Sequence, residues 1–186
     1  MEKIKKEEIW SIPNCMGYFR ILLIPAFCVI YLNADSVKDY YLAAGIVLMS
    51  TITDLLDGKV ARKFNMVTEL GKFVDPFADK LTHGAVALCL CTRYKRMVWL
   101  VVLMAMKEGF MAVMGLINLR RGKKLDGAKW YGKVCTATLF IILGVLVFMP
   151  QISGGIADVL IVSEMVIMTI VLVLYAFEFR KMAREF

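Results

Sequence analysis

Six stretches of about twenty mostly apolar residues, joined by short polar connectors, constrain this chain more than any other feature. They run near 17–33, 40–61, 72–92, 97–119, 130–149 and 156–178. Each is too long and continuous for a strand, and the period-two alternation of a membrane barrel is absent. The expected fold is an all-α integral membrane protein with six transmembrane helices. A short amphipathic, juxtamembrane segment over residues 1–10 precedes them. Six spans and their connectors occupy the 186 residues, so 1–186 reads as a single membrane domain.

Composition agrees with this reading. Hydrophobic residues make up 60% of the chain, above the roughly 45–50% of a soluble domain. A soluble protein of this size would have to expose the surplus as apolar patches and would aggregate. Soluble enzymes, secreted scaffolds and disordered tails are therefore excluded. The net charge of +7 invites a nucleic-acid reading. In a membrane protein, however, such an excess belongs on loops facing anionic lipid, so membrane lipids and not nucleic acid are the expected partners. The cysteines (Cys15, Cys28, Cys89, Cys91 and Cys135) fall mostly within apolar runs and lack zinc-like spacing, so they read as small buried residues. No small-residue cleavage site follows the first apolar run, which is expected to stay in the mature protein.

Basic residues fix the expected topology. With the N-terminus inside, thirteen Lys and Arg side chains lie on cytoplasmic pieces, including the Arg-Arg-Gly-Lys-Lys connector from 120 to 124. Only Lys38, Arg93, Lys95 and Arg96 lie outside. The positive-inside rule then puts both termini in the cytoplasm, at the cytoplasmic membrane. The cluster Arg93–Arg96 runs against the rule.

Further charges lie within the apolar runs: Arg20, Lys59, Lys72, Lys80, Lys107, Lys133, Asp54, Asp57, Asp75, Asp79 and Glu108. At membrane depth they are expensive and mark a water-filled functional cavity. Most fall toward the cytoplasmic ends of spans two to five, consistent with one polar pocket open to the cytoplasm. Asp54 and Asp57 are three residues apart and Asp75 and Asp79 four apart, so each pair shares a helix face. The linker between Arg62 and Gly71 lets the two helices fold back with those faces opposed. Four ionised carboxylates brought together repel strongly, which calls for divalent charge between them. An oxygen-only donor set suits Mg²⁺ or Mn²⁺, and four acids suit two ions. The alternative is a structural network with Lys59, Lys72, Lys80 and Arg62. Gly58 and Gly71 read either as close helix packing or as room for a ligand group to reach the backbone. Pro76 reads as a first-turn residue of the third helix. His83, one turn after Asp79, reads chiefly as a packing residue.

The pattern Asp54-x2-Asp57-Gly58-x2-Ala61-Arg62-x8-Gly71-x3-Asp75-x3-Asp79 resembles the complete signature of the CDP-alcohol phosphotransferase family. Six spans agree, so the resemblance covers nearly the whole chain. It implies that Asp54, Asp57, Asp75 and Asp79 hold two divalent ions on the diphosphate of a CDP-lipid. It also implies that Asp79 is the general base for the acceptor hydroxyl. Asp57, Gly58, Ala61, Arg62, Gly71 and Asp75 would then form the CDP-lipid site, and the protein would be a homodimer.

Flanking residues narrow the expectation. Ile12-Pro13-Asn14 with Arg20, and Leu70 through Lys80, resemble phosphatidylglycerophosphate synthases and CMP-forming cardiolipin synthases. Gly132-Lys133-Val134-Cys135-Thr136 is similar to a Gly-Lys-x-Lys-Thr run of the former, with Cys135 in place of the second Lys. Lys107-Glu108 stands where they have Arg-Glu. The resemblance implies phosphatidyl transfer from CDP-diacylglycerol to glycerol 3-phosphate, with Lys107, Arg120, Arg121 and Lys133 as acceptor-binding cations. The alternative acceptor is phosphatidylglycerol, giving cardiolipin. A small ion transporter is disfavoured because no repeat or interrupted helix pair is visible.

Overall fold

The computed structural model describes residues 11–64, 68–120 and 129–184, and among these it is all-helical. Six helices follow in order: α1 (Ile12–Leu32), α2 (Val37–Lys63), α3 (Glu69–Leu90), α4 (Met97–Arg120), α5 (Trp130–Phe148) and α6 (Gly154–Arg184). The expected N-terminal segment and most of the connector from 120 to 127 lie outside the described residues. Five helices are long and apolar enough to cross a membrane, and the protein is an integral membrane protein. The exception is α3. Its 22 residues would reach, but Lys72, Asp75, Asp79 and Lys80 make its first half too polar.

Local chemistry explains the helix ends. Pro13 sits in the first turn of α1, where the missing N–H has no helical partner to lose. The Asn33 side chain donates to the Val29 carbonyl at 2.8 Å, and the chain turns. Ser36 and Asp39 then form a reciprocal capping box at the start of α2, satisfying two otherwise orphaned donors. At α3, the Gly71 N–H donates to Thr68 Oγ1 at 2.9 Å. Because α3 begins at Glu69, Pro76 lies inside the helix and not in its first turn. That corrects the sequence expectation. Pro76 offers no N–H to the Lys72 carbonyl, which weakens the ladder between Gly71 and Asp79.

The chain forms two compact units. The first holds α1, α2 and α3 through Cys89, with residues 147–150; α1 packs along α2. Its interior mixes aromatics with small residues: Phe27, Tyr31, Ala43, Ala44, Ala78 and Ala87 are buried. Alanines let helix backbones approach closely, which is how helices pack where lipid supplies no hydrophobic drive.

The second unit holds α4, most of α5, and α6, with α4 packed on α6. Tyr175 on α6 stacks edge-on against Tyr131 on α5 at 4.8 Å. A Cβ on Gly132 would meet the Tyr175 hydroxyl at 2.2 Å, so glycine is what admits that ring. Arg96 pairs with Asp158 at the start of α6, 3.4 Å away, which gives part of the basic cluster Arg93–Arg96 a structural partner. Outward faces carry bulky apolar groups: Leu22, Leu88, Trp99, Ile141 and Val159 are each more than half exposed, as lipid-facing residues must be. Of the five cysteines only Cys89 and Cys135 are buried; Cys15, Cys28 and Cys91 are half-buried.

Candidate active site

In the first unit one cation gathers four acids. Arg20, on α1, is 2% exposed, and its guanidinium reaches both other helices. Nη1 pairs with Asp54 on α2 and lies 2.8 Å from Asp79 Oδ1 on α3. Nη2 lies 3.1 Å from Asp57 Oδ2 and 3.3 Å from Asp75 Oδ1. The two acid pairs predicted to share helix faces do converge, and they do so on this residue. Sequence reading flagged Arg20 as a cation within a span but assigned it no partner. The signal was present: a lone arginine in an otherwise uncharged apolar helix must find carboxylates elsewhere.

The cluster has an inner and an outer side. Asp57 is buried, whereas the side chains of Asp54, Asp75 and Asp79 are 40%, 43% and 47% exposed. Asp57 Oδ2 and Arg20 Nε are both buried without a hydrogen-bond partner, although Asp57 Oδ2 stands in the ion pair with Nη2. On the inner side Arg20 borders a small apolar cavity lined by Leu23, Ile24, Phe27, Ile46 and Val86, among others. The positive charge therefore has apolar surroundings on one side and acids on the other. Among the described residues no three acids, cysteines or histidines stand close enough together to cage a cation by themselves; the guanidinium lies between the carboxylates.

The predicted companions of the motif are placed unevenly. Gly71 is buried against α1: a Cβ there would meet the Asn14 Oδ1 at 2.8 Å. Asn14, itself 1% exposed, accepts from Thr68 Oγ1 at 3.1 Å. Close approach of α3 to α1 thus requires a residue without a side chain at Gly71. Gly58 is half-buried, one residue after Asp57. Ala61 and Arg62 lie on the last turns of α2, with side chains outside the described set, as is that of Lys72. Lys59 and Lys80 are exposed, and His83 is half-buried on α3.

The acceptor candidates belong to the second unit. Lys107 is 7% exposed on α4, with its Nζ 3.0 Å from Glu108 Oε1. Lys133 on α5 and Arg120 at the end of α4 are exposed, and Arg121 lies outside the described residues. Glu164 on α6, which sequence reading passed over, is fully buried. Its Oε1 accepts from the Cys135 thiol at 3.8 Å, and its Oε2 has no hydrogen-bond donor.

Comparison with known proteins bears on this constellation. Residues 10–177 match the family described as CDP-alcohol phosphatidyltransferase. A probable phosphatidylglycerophosphate synthase of Mycobacterium tuberculosis is 29% identical over 170 residues, covering 89% of this chain and 79% of that protein. The CDP-diacylglycerol–glycerol-3-phosphate 3-phosphatidyltransferase of Bacillus subtilis is 33% identical over 150 residues, 74% of this chain and 77% of its own length. The Escherichia coli protein of the same name is 31% identical over 147 residues, 77% and 80% of the two chains.

Proposed function

Because the chain belongs to the CDP-alcohol phosphatidyltransferase family, we propose that it transfers the phosphatidyl group of CDP-diacylglycerol to glycerol 3-phosphate, forming phosphatidylglycerophosphate and CMP. The observation that carries this reading is the convergence of Asp54, Asp57, Asp75 and Asp79 from two helices, at the family's motif spacing. The names of the relatives from Bacillus subtilis and Escherichia coli supply the donor and acceptor. The family match spans residues of both compact units, which supports reading them as one catalytic domain.

The donor set fits divalent ions. It is all carboxylate oxygen, the hard chemistry that Mg²⁺ and Mn²⁺ prefer. Asp57 Oδ2, buried with no hydrogen-bond donor, is the kind of oxygen that a metal ion satisfies. Asp54, Asp57, Asp75 and Asp79 would hold two such ions. Bound there, they would neutralise the diphosphate and stabilise the departing CMP.

The protein's own side chains supply the rest. Gly58, Ala61, Arg62 and Gly71, with Asp57 and Asp75, shape the cytidine diphosphate site. Asp79, open on its outer side, takes the proton of the acceptor hydroxyl as that oxygen attacks the phosphatidyl phosphorus. The phosphorus–oxygen bond to CMP breaks, and CMP leaves with the electron pair. Lys107, Arg120, Arg121 and Lys133 receive the dianionic phosphate of the acceptor. Positioning and charge neutralisation then account for most of the rate. The same reading has the site and both termini facing the cytoplasm, the chain pairing as a homodimer, and membrane lipids around it.

Incubating purified protein with CDP-diacylglycerol and either glycerol 3-phosphate or phosphatidylglycerol tests the acceptor. The expected outcome is CMP release and phosphatidylglycerophosphate with the first and no cardiolipin with the second. Cardiolipin from phosphatidylglycerol, with glycerol 3-phosphate ignored, would overturn the assignment.

A further inference from the structure

Arg20 is the only described side chain that pairs with all four motif carboxylates, and it is buried where it does so. The oxygens it engages belong to the same acids that would ligate divalent ions. A guanidinium has five donors in a fixed planar fork, which suits it to bridge several carboxylates. A cation on those oxygens must therefore displace some of its contacts or share the site with its charge. Its position is not easily given up. It projects from α1 between α2 and α3, with an apolar cavity on its other side. Nε has no partner of its own, so the residue's polar contacts run through its two terminal nitrogens to the acids.

Electrostatics make the contact consequential. Without a cation, four carboxylates across two helices would push α2 and α3 apart. One guanidinium offsets part of that repulsion, but it leaves most of the acids' charge unneutralised. Repulsion from a fixed positive charge also weakens the binding of any divalent ion nearby.

We propose that Arg20 is an internal counter-ion of the acid cluster that holds α1, α2 and α3 together and competes with divalent metal for the four carboxylates, thereby setting the metal concentration at which the site loads. Arg20 is on this view a positioning residue acting through the aspartates. The inference rests on the two-metal reading above.

Purified full-length wild type, Arg20→Gln and Arg20→Lys would be compared by Mn²⁺ binding, read from the electron paramagnetic resonance of free Mn²⁺, and by thermal unfolding in chelator and in Mn²⁺. Arg20→Gln should bind Mn²⁺ on the order of tenfold more tightly than wild type. In chelator it should unfold at a lower temperature, and Mn²⁺ should raise that temperature more than it does for wild type. Arg20→Lys keeps the charge but replaces the fork with a point donor, and should fall between the two in both readouts. If Arg20→Gln folds only with metal, the lysine variant carries the comparison. Unchanged or weaker Mn²⁺ binding in both variants would overturn the inference and leave the metal site standing. A wild type that binds no Mn²⁺ would remove the two-metal reading and this inference together.

Discussion

Arg20 and Lys107 are both nearly fully buried cations on helices long enough to cross a membrane, yet the molecule neutralises them in different ways. Arg20 in the first unit draws acids from two other helices, none closer in sequence than 34 residues. Lys107 in the second unit pairs at 3.0 Å with the residue beside it. The first arrangement is a shared cluster with three half-open carboxylates, an expensive feature that a merely structural core would avoid. The second is local and compact. The buried acid of that unit, Glu164, meets a thiol and not a cation in hydrogen bonding. On the proposed reading, bond-making chemistry belongs to the first of these arrangements and acceptor recognition to the second.

That contrast is open to direct attack by substitution. The largest effect should come from Asp57→Ala, which removes the one fully buried carboxylate of the cluster. CMP release should become undetectable and Mn²⁺ binding should be lost with it. Retained turnover would break the division between the units. Asp79→Asn should lower kcat by about 10²–10⁴-fold, the range for loss of a general base, with a much smaller change in CDP-diacylglycerol affinity. Near-normal kcat would mean that another group takes the proton.

Changes in the second unit should look different. Lys107→Ala should raise KM for glycerol 3-phosphate by about ten- to a hundredfold, the worth of a charge-assisted contact, with CDP-diacylglycerol affinity nearly unchanged. Lys107→Arg should be tolerated. A fall in kcat with KM unaltered would place Lys107 with the chemistry instead. The smallest effect should come from Gly132→Ala. Its Cβ would press on the Tyr175 hydroxyl, a ring already held against Tyr131 and Phe179. Overpacking of this kind costs about 1–3 kcal/mol, seen as a lower unfolding temperature.

Much of this was legible in the sequence because membrane helices leave long, unambiguous apolar runs. The predicted spans fall within or close to the observed helices. The acid pairs could be read because residues three or four apart must share a helix face. What escaped was tertiary. Nothing local to Arg20 says which of the intramembrane acids it meets, since its partners lie on other helices. Glu164 is a lone acid in an apolar run, the same kind of signal as Arg20, and it stands apart from the motif on which the reading centred. Pro76 was misplaced because the helix start was set at the first apolar residue, whereas Thr68 starts α3 one turn earlier through its hydroxyl. Gly71 shows a related limit: its spacing was legible, but its contact with Asn14 on α1 was not.

The central claim is that the four aspartates carry divalent metal for phosphatidyl transfer. The most direct measurement is CMP release from CDP-diacylglycerol and glycerol 3-phosphate during titration with chelator, followed by add-back of Mg²⁺ or Mn²⁺. The account predicts that release falls to background in chelator and returns with either ion. Full activity in excess chelator would contradict it.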